Sequence, residues 1–241
     1  MQMMRTILNK KVSVYFISPH VDDALLSAGS FMEALCKKVP VHLVTVFSDC
    51  KSKDKDSSFA ASAKQSIAKR KAIEKKLLLG HKIKLHYLDL PEFVLRSNTP
   101  SLYKKLPHMS TPGDSLLKKE IAEQLTNIIQ KKSLLFCPLG IGGHIDHVIV
   151  RDACMSAFSL QDIYFWNDYP YSLLFNTYKD SFIGGDSYKR MRKKTYTEDL
   201  GRKGVIVHSF MEHIKEFFSK DNLPVPIFPE VYFYEERRAD K

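Results

Sequence analysis

Five short apolar runs punctuate the chain, at residues 12–17, 41–47, 83–88, 134–137 and 163–166. They are rich in β-branched and aromatic residues and almost unbroken in hydrophobicity, as strands covered on both faces must be. Longer stretches at 25–38, 60–79, 115–131 and 147–159 lie between them, with Ser, Asp or Gly at several boundaries. Each is long enough for a crossover helix. This rhythm predicts a Rossmann-like α/β fold: an open, mostly parallel sheet with helices on both faces. A further helix is expected over 205–218 and a late strand over 230–234. The 241 residues suit one domain spanning 1–241, with irregular insertions near 49–58, 96–114 and 169–202. Pro100, Pro107, Pro112 and Gly113 mark the second insertion.

Ligands of open α/β sheets gather at the carboxyl ends of the strands. Two unusual clusters fall there. The first, SPHVDDALLSAG at 18–29, follows the first run and opens the first helix. His20, Asp22 and Asp23 put an imidazole and two carboxylates within four positions, and zinc accepts both ligand types. A structural alternative is that Asp22 and Asp23 cap the helix. The second cluster, PLGIGGHIDHVIVRDA at 138–153, follows the fourth run. His144 and His147 are spaced to share one helical face, and the paired glycines before His144 permit a tight turn. A catalytic zinc needs three protein ligands and an open position. His20, Asp23 and His147 supply such a set from two strand ends.

The PHVDD and HIDH elements resemble those of the LmbE-like, or PIG-L, N-acetylglucosamine deacetylase family. LDLPE at Leu88 to Glu92 and NDYPYS at Asn167 to Ser172 add weaker matches. The resemblance implies a zinc-dependent hydrolase that removes an N-acyl group, N-acetyl above all, from an amino-sugar conjugate. It implies His20, Asp23 and His147 as zinc ligands, with another divalent transition metal able to substitute. Asp22 would be the general base. His144, protonated, would assist at the carbonyl oxygen or the leaving group, and Asp146 would orient or tune it. Tyr171 and Arg96 are expected at the substrate, and Asp168, which follows the fifth run on the same edge, either there or behind a ligand. Trp166 and Tyr171 could stack on a sugar, though aromatics at a strand end more often pack in the core. Val21 and Ala24 depart from the family's pattern, as does KRKAIE at Lys69 to Glu74, so no substrate contact is assigned to Arg70. Two readings compete: an amidase acting on a non-sugar or long-chain N-acyl group, and a non-catalytic binder of an anionic ligand.

The formal charge of +10 favours an anionic or lipid-linked substrate or a membrane surface, or simply keeps the protein soluble. Lys189, Arg190, Arg192, Lys193 and Lys194 form its dense core and are expected to border the site or a membrane-facing surface. No zinc-finger, RNA-recognition or helix-turn-helix pattern surrounds them, so no nucleic-acid partner is expected. Cys36, Cys50, Cys137 and Cys154 are scattered and read as reduced, packed thiols. The N-terminal VSVYFI run is too short to span a bilayer and leads into PHVDD without a small-residue cleavage site. A cytoplasmic protein is expected, with peripheral membrane contact. His42 and His86 should pack in strands, while His81, His108 and His213 should be exposed.

Overall fold

The computed structural model describes residues 2–10, 12–49, 58–96, 113–174, 191–215 and 226–235. Helix α1 (Gln2–Lys10) precedes β1 (Val14–Ser18), α2 (Asp23–Cys36), β2 (Val41–Asp49), α3 (Ser58–Leu77) and β3 (Ile83–Pro91). A short α4 (Phe93–Arg96) and α5 (Asp114–Ile128) lead to β4 (Leu134–Pro138), α6 (Ile145–Ala157), β5 (Ile163–Trp166) and α7 (Tyr171–Leu174). The chain continues through β6 (Met191–Tyr196), α8 (Leu200–Ser209), α9 (Met211–Lys215) and β7 (Glu230–Glu235). Among the described residues no helix is long and apolar enough to cross a membrane.

The strands form one seven-stranded sheet in the order β3-β2-β1-β4-β5-β7-β6. The five strands expected from the apolar runs are parallel; β7 is antiparallel to both β5 and β6. Every residue of β1 and β4 is buried, as befits central strands. One face of the sheet packs Phe16, Phe136 and Tyr232 against Phe31 of α2 and Ile206 of α8. Tyr15, Ile17, Leu135 and Cys137 pack on the other face with Ile121 of α5 and Ile149 of α6. The rings of Phe16, Phe136 and Tyr164 stack across three strands, with successive centroids 4.8 Å apart. Truncating such a buried ring to alanine costs about 3–5 kcal/mol, so the stack fixes the strand ends that carry the site. Gly29 lets α8 lie on α2: a Cβ there would meet Cδ1 of Ile206 at 2.7 Å.

The order reverses around β1, which is flanked by β2 on one side and β4 on the other. A crevice opens at such a reversal, at the carboxyl ends of the two strands. The PHVDD segment leaves β1 there and the HIDH segment follows β4.

Three expectations are corrected. The N-terminus forms α1, whose Ile7 is fully buried; its few apolar positions were overlooked beside the stronger strand signal that follows. The segment at 169–202 is not wholly irregular, since it contains β6. That strand was hidden because MRKKTY lies at the sheet edge and exposes Arg192 and Lys193. The helix over 205–218 is two helices, and it begins earlier, at Leu200. Lys189, Arg190, His108 and Cys50 lie outside the described residues.

Candidate metal centre and catalytic recess

Helix α2 is capped without its aspartates standing in the usual place. The side chain of Asp22 makes no capping hydrogen bond. The backbone N–H of Ala24 donates instead to Oγ of Ser18 at 3.0 Å, and the N–H of His20 donates to Oδ2 of Asp23 at 2.8 Å. Both carboxylates are thereby free of the capping role considered above. Across the crevice Gly142 and Gly143 take φ values of +83° and +67°, a left-handed turn that favours glycine. The turn delivers His144 as the cap of α6, its Nδ1 accepting from the N–H of Asp146 at 3.2 Å.

Oδ2 of Asp23 lies 2.9 Å from Nδ1 of His20 and 3.1 Å from Nε2 of His147. The three side chains can offer donor atoms that lie within 4.8 Å of one another, all buried. Each imidazole is anchored through its other nitrogen. Nε2 of His20 is 3.0 Å from Oδ2 of Asp146, and Nδ1 of His147 is 2.7 Å from Oδ1 of Asp168. Nε2 of His147 is buried without a hydrogen bond despite the approach of Asp23. Imidazoles held by carboxylates, with the remaining nitrogens turned on a shared carboxylate, are the donor set of a histidine- and carboxylate-bound zinc. The residues therefore fit the metal.

Electrostatics agree. Burial disfavours charge on His20, but Asp23, Glu92 and Asp146 outweigh it and hold the imidazole well above its usual pKa. Burial likewise opposes charge on His147, yet Asp23 and Asp168 raise it to about 9. Burial would raise Asp23, but the two histidines pull it well below the usual carboxylate range. The cluster is a place built for positive charge.

Two roles expected from the sequence change. The Asp146 carboxylate bonds to His20, accepts the N–H of Phe93 at 2.9 Å and pairs with Arg96, and with His20 and His144 it forms a second group of donor atoms within 4.8 Å of one another. Its backbone N–H donates to Nδ1 of His144, and its charge opposes the loss of the proton from that ring. His144 is not protonated near neutrality, because burial lowers its pKa to about 3 against the partial opposition of Asp146. With Nδ1 accepting a hydrogen bond, the neutral ring carries its proton on Nε2.

The substrate residues divide. Asp168 is fully buried and holds His147 together with the N–H groups of Gly140 and Ile141, so it backs the centre and faces no substrate. Arg96 is engaged by Asp146 and the carbonyl of Pro91, and it lies over the ring of Phe47. It braces Asp146 where a substrate contact was expected. Trp166 is wholly in the core and cannot stack on a sugar. Tyr171 does line the recess, its ring centroid 5.1 Å from that of His147.

A recess opens onto His20 and Asp23 of the cluster, with Asp22, Arg70, Glu92, Tyr171 and His213 also on its wall. Sequence reasoning missed three of these. Arg70 is buried and bridges Asp22 at 3.1 Å and Glu92 at 2.6 Å. His213, expected to be exposed, instead stands with Nε2 3.3 Å from Oδ2 of Asp22. His42 and His86 are packed as expected, 3.0 Å apart across β2 and β3.

Two strand ends pool histidine and aspartate side chains able to hold a metal ion beside an open recess on an α/β sheet. The family described as GlcNAc-PI de-N-acetylase (PIG-L) matches residues 15–158, and the chain belongs to that family. A search of curated protein sequences finds no match. Solved structures share the fold. A complex of a deacetylase in the biosynthesis pathway of teicoplanin is 19% identical, with a TM-score of 0.72 over 95% of this chain and 100% of that one. A zinc-inhibited form of teicoplanin deacetylase is 18% identical, with a TM-score of 0.69 over 95% and 100%. The 4-carboxy-2-hydroxymuconate hydratase of Pseuodomonas putida is 10% identical, with a TM-score of 0.52 over 95% and 99%. A hydratase among these neighbours shows that the fold alone does not determine the reaction.

Proposed function

We propose that the protein is a zinc-dependent hydrolase that removes the N-acetyl group from a small-molecule conjugate of an amino sugar, such as N-acetylglucosamine. One observation carries the reading. His20, Asp23 and His147 converge at the recess while the neighbouring Asp22 stays outside the donor cluster and faces the same space. A binder needs the cluster but not the base.

His20, Asp23 and His147 would hold the zinc, which supplies Lewis-acid polarisation of the amide carbonyl and acidifies water. Asp22 takes a proton from the attacking water. Arg70 on Oδ1 of Asp22 fixes the carboxylate so that Oδ2 turns to the recess and His213. His144, neutral and carrying its proton on Nε2, donates a hydrogen bond as negative charge grows on the carbonyl oxygen. Tyr171 closes one side of the recess against the sugar. Asp146 and Asp168 hold the two ligand imidazoles in register.

The test is zinc content by elemental analysis together with acetate release from a panel of N-acetyl sugars. About one zinc per chain and acetate from at least one sugar are expected. A zinc-loaded protein that releases no acetate from any of them would refute the reading.

A further inference from the structure

The family match ends at residue 158, yet the recess is completed by side chains from beyond it. Helix α9 sets His213 on the wall beside Ile214. The element is firmly seated. Ile214 is fully buried in the core, and its N–H donates to the carbonyl of Phe210 at 3.0 Å. The His213 side chain keeps 20% exposure while its Nε2 lies 3.3 Å from Oδ2 of Asp22. It therefore faces the base and the open space together.

We infer that His213 is a further catalytic residue, which delivers a proton to the leaving amine nitrogen. The inference rests on the N-deacetylase reading above. An amide nitrogen departs readily only as a neutral amine, so cleavage of the C–N bond needs a proton donor at that atom. His20 and Asp23 belong to the donor cluster. Arg70 and Glu92 hold each other at 2.6 Å, and a guanidinium does not give up its proton. Tyr171 leans on the ring of His147. His144 is already assigned to the carbonyl oxygen, and its Nδ1 caps α6. Among the described residues of the wall, Asp22 and His213 remain, and they touch. With Nδ1 buried, Nε2 is the atom that takes up a proton and gives it back, as an imidazole can while its other nitrogen keeps its own.

The step balances. One water O–H proton passes to Oδ2 of Asp22 as the water oxygen bonds to the carbonyl carbon. Asp22 passes it to Nε2 of His213, and the imidazolium gives it to the amide nitrogen as the C–N bond breaks. The second water hydrogen leaves with the carboxylic acid, which ionises in solution as the free amine takes up a proton. Asp22 and His213 return to their starting states.

The test is leaving-group dependence in zinc-loaded His213→Gln, with His213→Asn as a second variant and thermal unfolding of both recorded alongside. The substrates are an N-acetyl amino sugar and 4-nitrophenyl acetate, whose phenolate departs without a proton. Turnover of the amide should fall about a hundredfold or more, with a loss on the ester at least about tenfold smaller. Equal losses on both substrates in folded variants, or undiminished amide turnover, would overturn the assignment. A zinc-loaded wild type that cleaves no N-acetyl sugar would instead overturn the deacetylase reading, and this assignment with it.

Discussion

Oδ1 of Asp168 lies 2.7 Å from Nδ1 of His147, and this contact decides which nitrogen of the ring is left for a metal. Asp168 is fully buried and also receives the N–H groups of Gly140 and Ile141. It therefore ties the turn after β4 to the metal centre. Asp168→Asn keeps the shape but removes the charge that favours the correct tautomer. Zinc affinity should fall about 10–100-fold, as measured by competition with a chelator. An affinity equal to that of the wild type would show that Asp168 serves the turn alone.

The donor set makes a direct demand. His20→Ala, Asp23→Ala and His147→Ala should each lower zinc occupancy, read by elemental analysis after dialysis. His144→Ala should leave it close to one per chain if His20, Asp23 and His147 are the ligands; a loss equal to theirs would assign the metal to the second donor group of His20, His144 and Asp146. Full occupancy in all three ligand variants would put the metal elsewhere.

Asp22→Asn separates chemistry from metal binding. The carboxylate makes no capping bond, so asparagine should cost α2 little. Zinc should remain bound, while kcat and kcat/KM fall together by about a hundredfold or more, since proton transfer occurs on the way to the transition state. Near-normal turnover by the zinc-loaded variant would remove Asp22 from the mechanism.

Glu74 predicts a pH effect on stability. Burial, reinforced by the nearby charge of Asp22, raises its pKa to about 8, while the hydroxyl of Tyr87 donates to it at 2.6 Å. The unfolded chain loses this proton near the ordinary value of 4.5, whereas the folded protein keeps it until about 8. Between those values the folded state binds more protons, so this group lowers stability as pH rises, by at most about 1.4 kcal/mol per pH unit. Glu74→Gln should flatten that slope and raise Tm at pH 8 relative to the wild type, measured by calorimetry. An unchanged pH profile would mean that Glu74 ionises normally.

The parallel part of the sheet was legible because buried strands cannot hide: residues such as Phe16, Val44 and Phe136 give continuous apolar runs. The clustering of His20, Asp23 and His147 was legible because the strand ends place both motifs on one edge. What escaped was tertiary. Nothing local in KRKAIE shows that Arg70 will turn inward to Asp22, or that α9 will bring His213 back over a site begun nearly two hundred residues earlier. Asp168 takes the second of the two places expected for it, behind a ligand, whereas Arg96, expected at the substrate, pairs with Asp146, because sequence spacing does not show which carboxylate a guanidinium will meet.

The dense basic cluster carries a different consequence from the one its charge suggested. Its described part is β6, which borders the sheet at one end as β3 does at the other. An edge strand offers unpaired backbone groups to any passing chain, and lysine or arginine along it makes a second strand costly to add. Arg192, Lys193 and Lys194 on one margin, with Lys84 and Pro91 on the other, leave a sheet that resists growing past its seventh strand. The same charges that resemble a docking patch would keep the folded molecules from zipping together at high concentration.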